Sequence, residues 1–411
     1  MTPKLALNGG TPVRLIPFPE WPVFDESDEQ ALLDVLSSGK WGRHQGTRVN
    51  AFEVAFAAYQ GARYCVAVMN GSVAIKIALL AAGIQAGDEV IVPDYTFVAT
   101  ASSVVEANAV PVFVDIDPDT YCLTPELVEA SITDRTRAVI PVHFAGQAVD
   151  MEALMALAGR HNLVVIEDAA HAHGAEYEGQ RLGSIAHMGC FSFQSSKNLT
   201  AGEGGAILTN DEHFERLCYS LQTCGRLPEG EWYEHHLPGG NYRMTEFQAG
   251  LLLNQLTRLE QQTQTRDRNG RFLNQILADI SGISPLKRDM GETRHAYHLY
   301  IFRYNASEFN GLPRERFLEA LTAEGIPNSA GYGTPLHRQE LFMTRAFGPF
   351  TGYQHSQPDL DYAQVHSPVS ERACNEEACW LPQSVMLGSE SDMNDIARAI
   401  TKIYENRGEL A

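Results

Sequence analysis

One lysine of this chain lies in a setting that favours covalent chemistry at its amine. The chain has six lysines, and Lys197 lies in the segment GCFSFQSSKNLTAGEGG, between an apolar strand-like run and a glycine-rich turn. A lysine at a strand end among small residues is easily desolvated, which lowers the pKa of its amine and makes it a better nucleophile. Taken alone, this segment is more often a loop with a solvated lysine. The neighbouring motifs must therefore decide whether Lys197 is reactive.

An acidic residue ends another apolar run. Asp168 closes NLVVIED and opens EDAAHAHG. Ligands of open α/β sheets bind outside the carboxyl ends of strands, and a carboxylate there can pair with a protonated pyridine nitrogen. The alternative is that Glu167 and Asp168 cap a following helix. His171 and His173 form an H-x-H pair, but no third ligand is spaced to complete a zinc site, so no metal is expected.

Two further strand ends carry residues suited to a planar, phosphorylated ligand. Asn70-Gly71-Ser72 follows the run YCVAVM and opens an apolar helical pattern. A helix N-terminus with small residues suits a phosphate, although an ordinary serine N-cap is the simpler alternative. The segment PDYTFVAT places Tyr95 and Phe97 after another run, where one ring can stack on a planar ligand or both can belong to the core.

The runs that carry these residues alternate with helical patterns. Strand-like runs occur at 64–69, 89–93, 110–116, 138–144, 162–168, 189–193 and 204–210. Several are continuously apolar, as expected of strands buried on both faces, and helical segments separate the first five. The sequence therefore predicts an α/β fold, with a mostly parallel sheet flanked by helices. The last two runs have no helix between them, which predicts a mixed sheet at that edge.

The pattern changes after Thr245. The following segment, to about residue 280, has apolar residues at helical spacing and predicts one long helix or a pair of helices. A strand-like run at 296–304 and a helical pattern at 313–327 then indicate a smaller α+β region. We expect a large domain at 1–270 and a small C-terminal domain at 271–411.

Composition excludes several classes of protein. The formal charge of −20 argues against nucleic acid and anionic membranes as partners. The first residues lack the apolar stretch of a signal peptide, and no segment approaches the ~20 apolar residues of a membrane helix. The seven cysteines form no C-x-x-C pair, so neither a disulfide framework nor a zinc site is indicated. A cytoplasmic protein is expected.

Taken together, the motifs resemble those of the DegT/StrS group of sugar and cyclitol aminotransferases, which are fold type I enzymes that use pyridoxal 5′-phosphate (PLP). The matching stretches are NGSVAI, PDYTFVAT, VFVDIDPDTYCLTPELVE, IEDAAHAHGAEYEGQRLGS, FSFQSSKNLTAGEGG and GGNYRMTEFQAG. They cover roughly residues 40–260 in the order that the family has them. Such a set in one order is highly specific.

The resemblance implies a role for each matching residue. Lys197 corresponds to the lysine that forms a Schiff base with PLP, and Asp168 corresponds to the partner of the pyridine nitrogen. Phe97 corresponds to the aromatic residue that stacks on the ring, and His171 is expected near the phenolic oxygen. The implied phosphate contacts are Gly71, Ser72 and Ser192.

The resemblance also implies a homodimer with shared active sites. In the segment GGNYRMTE, family members bring a residue of the neighbouring subunit to the phosphate. Asn241 and Arg243 are the two candidates in this chain.

The function that the resemblance implies is PLP-dependent transamination. Glutamate or glutamine donates an amino group, which then passes to a nucleotide-linked keto sugar or a keto cyclitol in amino-sugar or secondary-metabolite biosynthesis. Released Lys197 is the natural general base for the proton shift. One alternative is a sugar dehydratase of the same family, but those relatives carry histidine where this chain has Lys197. The other is a non-catalytic regulatory relative, against which intact Lys197 and Asp168 argue.

The substrate is less well indicated. Family members often have Gly-Pro where this chain reads Gly-Thr at 46–47, in a loop near the substrate. The WP segment at 21–22 and the opening NGGTPVR are similar to members that aminate inososes or make aminohydroxybenzoate. Tyr332 and His337, in the segment 329–340, are candidates to hydrogen-bond substrate hydroxyls, although both have a simpler interpretation as loop residues.

Overall fold

The computed structural model describes residues 4–410 and places their backbone in three sheets surrounded by helices. The strands are β1 (Tyr64–Val68), β2 (Glu89–Pro93), β3 (Val110–Val114), β4 (Thr136–Val139), β5 (Val164–Asp168), β6 (Glu176–Tyr177), β7 (Gln180–Arg181), β8 (Met188–Ser192), β9 (Gly205–Thr209), β10 (Ile283–Pro285), β11 (Glu292–Arg294), β12 (Leu299–Tyr304) and β13 (Ala378–Pro382). The helices are α1 (Glu26–Ser38), α2 (Arg48–Gln60), α3 (Gly71–Ala81), α4 (Ala99–Glu106), α5 (Pro125–Glu129), α6 (Met151–His161), α7 (Glu212–Gln222), α8 (Glu246–Leu277), α9 (Arg314–Ala323), α10 (Glu340–Met343), α11 (Tyr353–Ser356), α12 (Pro368–Arg372) and α13 (Glu390–Glu405).

The central sheet has seven strands in the order β1-β9-β8-β5-β4-β2-β3. Neighbouring pairs from β8 to β3 are parallel, whereas β9 is antiparallel to both of its neighbours. These strands are the seven runs that the sequence predicts, and the mostly parallel α/β architecture is confirmed. The sheet is mixed near this edge, as predicted. However, the antiparallel strand β9 is not itself the edge strand, because β1 pairs with its outer side.

One predicted run is interrupted by proline. The run 138–144 forms β4 only as far as Val139, and Pro141 follows without a backbone N–H to donate. The chain nevertheless stays beside β5, because Asp168 N–H donates to the Pro141 carbonyl at 2.9 Å and His143 N–H donates to the Asp168 carbonyl at 3.1 Å. The carboxyl end of β5 is thus fixed on this side.

Both faces of the central sheet are buried. Successive residues of a strand point to opposite faces, and β1 shows this directly. Ala67 belongs to a core cluster that contains α2 and α8 residues such as Phe56 and Leu252, whereas Val66 belongs to another with α3 residues such as Ile75. The continuously apolar strands of the sequence are explained by this arrangement.

The C-terminal region has its own antiparallel sheet, in the order β10-β12-β13. The single long helix α8 leads into it and starts at a capping box in which Thr245 and Gln248 bond each other's backbone N–H groups. A third core cluster lies here and includes Leu5 from the N-terminal end together with Leu273. Because α8 is continuous across residue 270, the division into domains at that residue stays a prediction. None of the helices within residues 4–410 is both long and apolar enough to cross a membrane.

Candidate active site

A cavity of about 530 Å³ lies where several parallel strands of the central sheet end. Asp168 is the last residue of β5, Ser192 is the last residue of β8, and Phe97 follows β2. The carboxyl ends of parallel strands lie at one edge of a sheet, which is where open α/β folds bind ligands. The lining residues are Asn70, Gly71, Ser72, Ile75, Thr96, Phe97, Ala99, Val142, Asp168, Ala170, His171, Cys190, Ser192, Gln194, Ser196, Lys197 and Glu203.

Lys197 projects into this cavity from the turn after β8. Its backbone N–H donates to the Gln194 carbonyl at 2.9 Å, and its side chain is half-buried. Within the described part of the chain its amine has no ion-pair partner within 4.0 Å. Burial lowers the pKa of the amine to about 8, and the nearby Asp168 carboxylate only partly opposes this. A sizeable fraction of the amine is therefore neutral and nucleophilic near physiological pH.

The Asp168 carboxylate is held by two donors. The Thr100 hydroxyl donates to Oδ2 at 2.7 Å, and the Ala170 N–H donates to Oδ1 at 3.2 Å. Burial raises the pKa of this carboxyl group, while the hydrogen bond from Thr100, the Ala170 N–H and the Lys197 cation lower it. Each oxygen retains a lone pair, so the carboxylate can accept one more hydrogen bond from a cationic donor in the cavity.

The adjacent carboxylate, Glu167, has a different role. It accepts backbone N–H bonds from Gly183, Ile185 and Ala186 at 2.6–2.9 Å and contacts the His143 ring at 2.8 Å. The chain then turns towards β6, so neither Glu167 nor Asp168 caps a helix here. Glu167 fixes the turn before β8, whereas Asp168 faces the cavity.

The N-terminus of α3 forms one wall of the cavity. Asn70 caps the helix by accepting the Val73 N–H at 2.9 Å, and Gly71 and Ser72 are the first two helical residues. A Cβ atom on Gly71 would lie 2.8 Å from the Ser192 Cβ atom, which is closer than real side chains approach. Only glycine therefore allows the helix end and Ser192 to lie this close together. The result is a small cradle of helix N–H groups and hydroxyls, which suits a phosphate.

The two aromatic residues after β2, Tyr95 and Phe97, lie in different surroundings. Phe97 is 57% exposed and lines the cavity. Tyr95 is buried and packs against the rings of Tyr121, Phe144 and Tyr332. Phe97 is therefore the ring that can stack on a planar ligand, and Tyr95 belongs to the core.

The two histidines of the H-x-H pair, His171 and His173, also lie in different surroundings. His171 lines the cavity, its Nδ1 accepts the Ala145 N–H at 3.2 Å, and its ring centroid lies 4.2 Å from that of His298. Burial lowers the pKa of His171 well below its usual value, so the ring is neutral with its hydrogen on Nε2. His173 is buried among phenylalanines, and burial lowers its pKa to about 3. No group of three or more metal-binding side chains occurs within residues 4–410.

A smaller cavity of about 310 Å³ opens from the same lysine. Both cavities share Phe97, His171, Ser196 and Lys197. The remaining wall of the smaller cavity consists of Trp21, His298, Leu299, Tyr332, Trp380, Pro382, Gln383 and Ser384. Lys197 thus lies at the junction of a polar cavity at the strand ends and an aromatic cavity beside it.

The two residues predicted for substrate recognition do not lie together. Tyr332 lines the smaller cavity, but His337 lines neither cavity and is fully buried. The His337 Nδ1 lies 2.5 Å from Asp94 Oδ2, and its backbone N–H donates to Asp94 Oδ1 at 2.8 Å. The structure therefore places His337 in a buried pair that holds its loop on the end of β2, and does not support the prediction that it contacts the substrate.

Asn241 and Arg243 line neither cavity of their own chain. Their segment runs antiparallel to the end of β1, where Met69 N–H donates to the Tyr242 carbonyl at 2.8 Å. The Arg243 guanidinium lies within hydrogen-bond distance of the Thr223 hydroxyl at 3.3 Å.

Several lining or supporting residues were not predicted, although three of them lie within segments already singled out in the sequence. Thr100 supports Asp168, and its position one helical turn after Thr96 was the only available signal. Asn198 contacts the His298 ring at 3.3 Å. Trp21 lies in the WP segment, and its ring N–H donates to the Ser195 carbonyl at 3.0 Å. The other missed residues, Trp380 and Gln383, are distant in sequence from every motif.

Comparison with known proteins agrees with this geometry. The sequence profile of the DegT/DnrJ/EryC1/StrS aminotransferase family matches residues 22–401. An L-glutamine:2-deoxy-scyllo-inosose aminotransferase from Streptoalloteichus tenebrarius is 41% identical over the full length of both chains. The enzyme of that name from Streptomyces paromomycinus is 42% identical over 99% of each chain.

Solved structures show the same fold. The crystal structure of 3-amino-5-hydroxybenzoic acid synthase superposes with a TM-score of 0.86 at 34% identity, covering 96% of this chain and 100% of that chain. An aminotransferase from Psychrobacter cryohalolentis superposes with a TM-score of 0.84 at 32% identity, covering 95% and 100%. The expected fold type I architecture is confirmed, and the chain is an aminotransferase that belongs to the DegT/DnrJ/EryC1/StrS family.

Proposed function

We propose that this enzyme uses PLP bound at Lys197 to transfer the amino group of glutamine to a keto cyclitol. The observation that carries the proposal is the convergence of an amine, a buried carboxylate and a helix N-terminus in one cavity. These are the three groups that the aldehyde, the ring nitrogen and the phosphate of PLP require.

The residues present fit this cofactor. The pKa of Lys197 is lowered to about 8, so its amine can attack an aldehyde. Gly71 and Ser192 both line the cavity, and a side chain at Gly71 would collide with Ser192, so glycine keeps the N-terminus of α3 accessible to a phosphate. Phe97 would cover one face of the ring, and the Nε2–H of His171 is a donor suited to the phenolic oxygen.

When bound, PLP would supply an electron sink for the carbanion that forms when a proton leaves the substrate carbon next to the amine. The role of Asp168 would be to keep the ring nitrogen protonated, and its hydrogen bond from Thr100 would hold the carboxylate in place. The Lys197 amine, at the junction of both cavities, would take the proton from one carbon and return it to the other.

The proposed acceptor and donor follow from the relatives. Both relatives at 41–42% identity that are described above carry names specifying L-glutamine and 2-deoxy-scyllo-inosose. The smaller cavity is of a size for a single ring, and Tyr332 in its wall carries a hydroxyl that could bond to the hydroxyls of a cyclitol. Polar groups placed in this way discriminate strongly against analogues that lack the matching hydroxyls.

The proposal includes a homodimer in which Asn241 or Arg243 reaches the phosphate of the neighbouring subunit. Neither residue lines a cavity of its own chain, and both lie on a segment beside the edge strand β1. Apolar side chains on α1 are exposed in the single chain, which is expected of a surface that another subunit covers: Leu32, Leu33 and Leu36.

The acceptor is tested by loading the protein with pyridoxamine 5′-phosphate and offering inososes, nucleotide-linked keto sugars and small 2-oxo acids. We expect the pyridoxal absorbance to return, and an amino cyclitol to be found by mass spectrometry, most rapidly with an inosose. Faster reaction with a nucleotide-linked keto sugar would contradict the cyclitol assignment. Turnover of small apolar 2-oxo acids, together with no turnover of any polyhydroxylated ketone, would contradict the proposed class of substrate.

The shared site is tested by subunit complementation. A Lys197→Ala chain and an Arg243→Ala chain should each be inactive alone. In a mixed dimer both substitutions fall in one site, and the other site is intact. Random mixing makes about half of the dimers mixed, so we expect about a quarter of wild-type activity. The same experiment with Asn241→Ala identifies which residue crosses the interface. Absence of complementation with both partners would show that each site is built from a single chain.

A further inference from the structure

Arg266, on α8, is a fully buried cation without an acidic partner. It belongs to four arginines that are buried within residues 4–410, and it has no ion pair among them. Each of the other three has a carboxylate partner: Arg14 pairs with Asp392 and Asp395, Arg43 with Glu53, and Arg314 with Glu315. A buried charge without such compensation is costly, so its retention needs a reason.

The contacts of Arg266 lead towards the smaller cavity. Its Nε and Nη2 donate to the Oε1 atom of Gln383 at 3.0 Å and 2.5 Å. Its Nη1 is buried and has no acceptor in the described part of the chain. The guanidinium carbon lies 5.3 Å from the centroid of the Trp21 ring. Both Gln383 and Trp21 line the smaller cavity, so Arg266 lies directly behind its wall.

These contacts fix the orientation of the Gln383 amide. Because Oε1 receives two hydrogen bonds from a cation, the other end of the amide must be the NH₂ group, which only donates. Gln383 is 3% exposed, and its amide nitrogen donates to no acceptor within residues 4–410. The cavity that begins at Lys197 therefore presents a donor that is polarised by a buried positive charge.

We propose that Gln383 binds the α-carboxylate of the amino donor and that Arg266 positions and polarises it. This rests on the proposed function, in which glutamine and a keto cyclitol enter the same cavity in turn. A cyclitol is neutral, whereas the α-carboxylate of glutamine brings a negative charge, which no ion pair within residues 4–410 supplies to Arg266. Gln383 is thus a donor-binding residue, and Arg266 acts through it.

The test compares the two half-reactions in wild-type protein and in Gln383→Glu. This substitution pairs Arg266 with an internal carboxylate and removes both donors from the cavity. We expect kcat/KM for glutamine to fall about 10- to 100-fold, the range for loss of a hydrogen bond to a charged group. The reaction of the pyridoxamine-loaded protein with its keto acceptor should change much less. Gln261→Glu, an equal change of charge at an exposed position of α8, is the matched control.

A second readout separates donor recognition from a general structural effect. Wild-type protein should react much faster with glutamine than with its α-carboxamide, and Gln383→Glu should lose most of this preference. A structural role would slow both donors equally and leave the ratio unchanged. Gln383→Met, which also lacks the amide donors but introduces no charge, gives the same comparison if Gln383→Glu does not fold. Binding of α-methylglutamine, measured by calorimetry, should weaken in parallel.

The outcomes distinguish this inference from the proposed function. If wild-type protein converts no amino acid at all, the proposed function is wrong and the inference falls with it. If it converts glutamine and the preference over the carboxamide is equal in wild-type and variant proteins, only the assignment of Gln383 is wrong. An equal or larger loss in the acceptor half-reaction would also overturn it, and would assign Gln383 to the cyclitol.

Discussion

The two cavities that meet at Lys197 are built in different ways. The polar residues of the larger cavity lie at or just after the ends of strands of one sheet, and each lies within a short contiguous motif. The smaller cavity is assembled from segments that are far apart in the chain, including Trp21, His298, Tyr332 and Gln383. Strand ends of one sheet are therefore sufficient to position the groups of the larger cavity, whereas the packing of distant segments shapes the smaller one.

The supporting contacts differ in the same way. Asp168 is held by Thr100 and Ala170, which belong to the central sheet region itself. Gln383 is held by Arg266, which is 117 positions away on α8. We therefore expect substitutions in the larger cavity to impair both half-reactions, and substitutions in the smaller cavity to impair one half-reaction selectively.

The largest effect is expected at Asp168. Asp168→Asn keeps the shape but replaces the carboxylate by a neutral amide, which cannot keep a pyridine nitrogen protonated. We expect kcat to fall by at least about 100-fold, or roughly 2.7 kcal/mol of barrier, in both half-reactions. Circular dichroism should show an unchanged fold, and Asp359→Asn, at an exposed position, should be fully active. A loss of less than about tenfold would show that the role of Asp168 is misassigned.

A smaller and selective effect is expected at Tyr332. Tyr332→Phe removes a hydroxyl from the smaller cavity and keeps the ring that packs against Tyr95 and Trp380. We expect kcat/KM for the cyclitol acceptor to fall about tenfold, which corresponds to one net hydrogen bond, with little change for glutamine. Tyr404→Phe, on α13, is the matched control. Equal losses in both half-reactions would remove the distinction between the two cavities.

The sequence was sufficient for the larger cavity because its signals are local. Strand ends, small residues before α3 and the position of Lys197 can all be identified within a few residues of one another. The long helix α8 could be recognised by its apolar spacing, and the capping box at Thr245 explains where it begins. The location of β9 between β8 and β1 could not be foreseen, since pairing with β1 joins residues about 140 positions apart.

The smaller cavity was largely beyond prediction for the opposite reason. His337 looked like a polar loop residue with access to substrate, but Asp94, 243 positions away, binds it in the interior. Arg266 looked like one of several charges on a long helix, and nothing local indicated that it would be fully buried behind Gln383. The burial of both residues depends on contacts between distant segments, and neither hydrophobic periodicity nor a local motif predicts such contacts.

The lysine that binds the cofactor can be identified directly by trapping the bond between them. The PLP-loaded protein is reduced with borohydride, which fixes the bond between the cofactor and its lysine, and is then digested and analysed by mass spectrometry. We predict a single modified peptide that contains Lys197, whose amine is desolvated and unpaired at the junction of the two cavities. Modification at Lys76, which lies on α3 and pairs with Glu106 of α4, or at no single lysine, would contradict the assignment of Lys197.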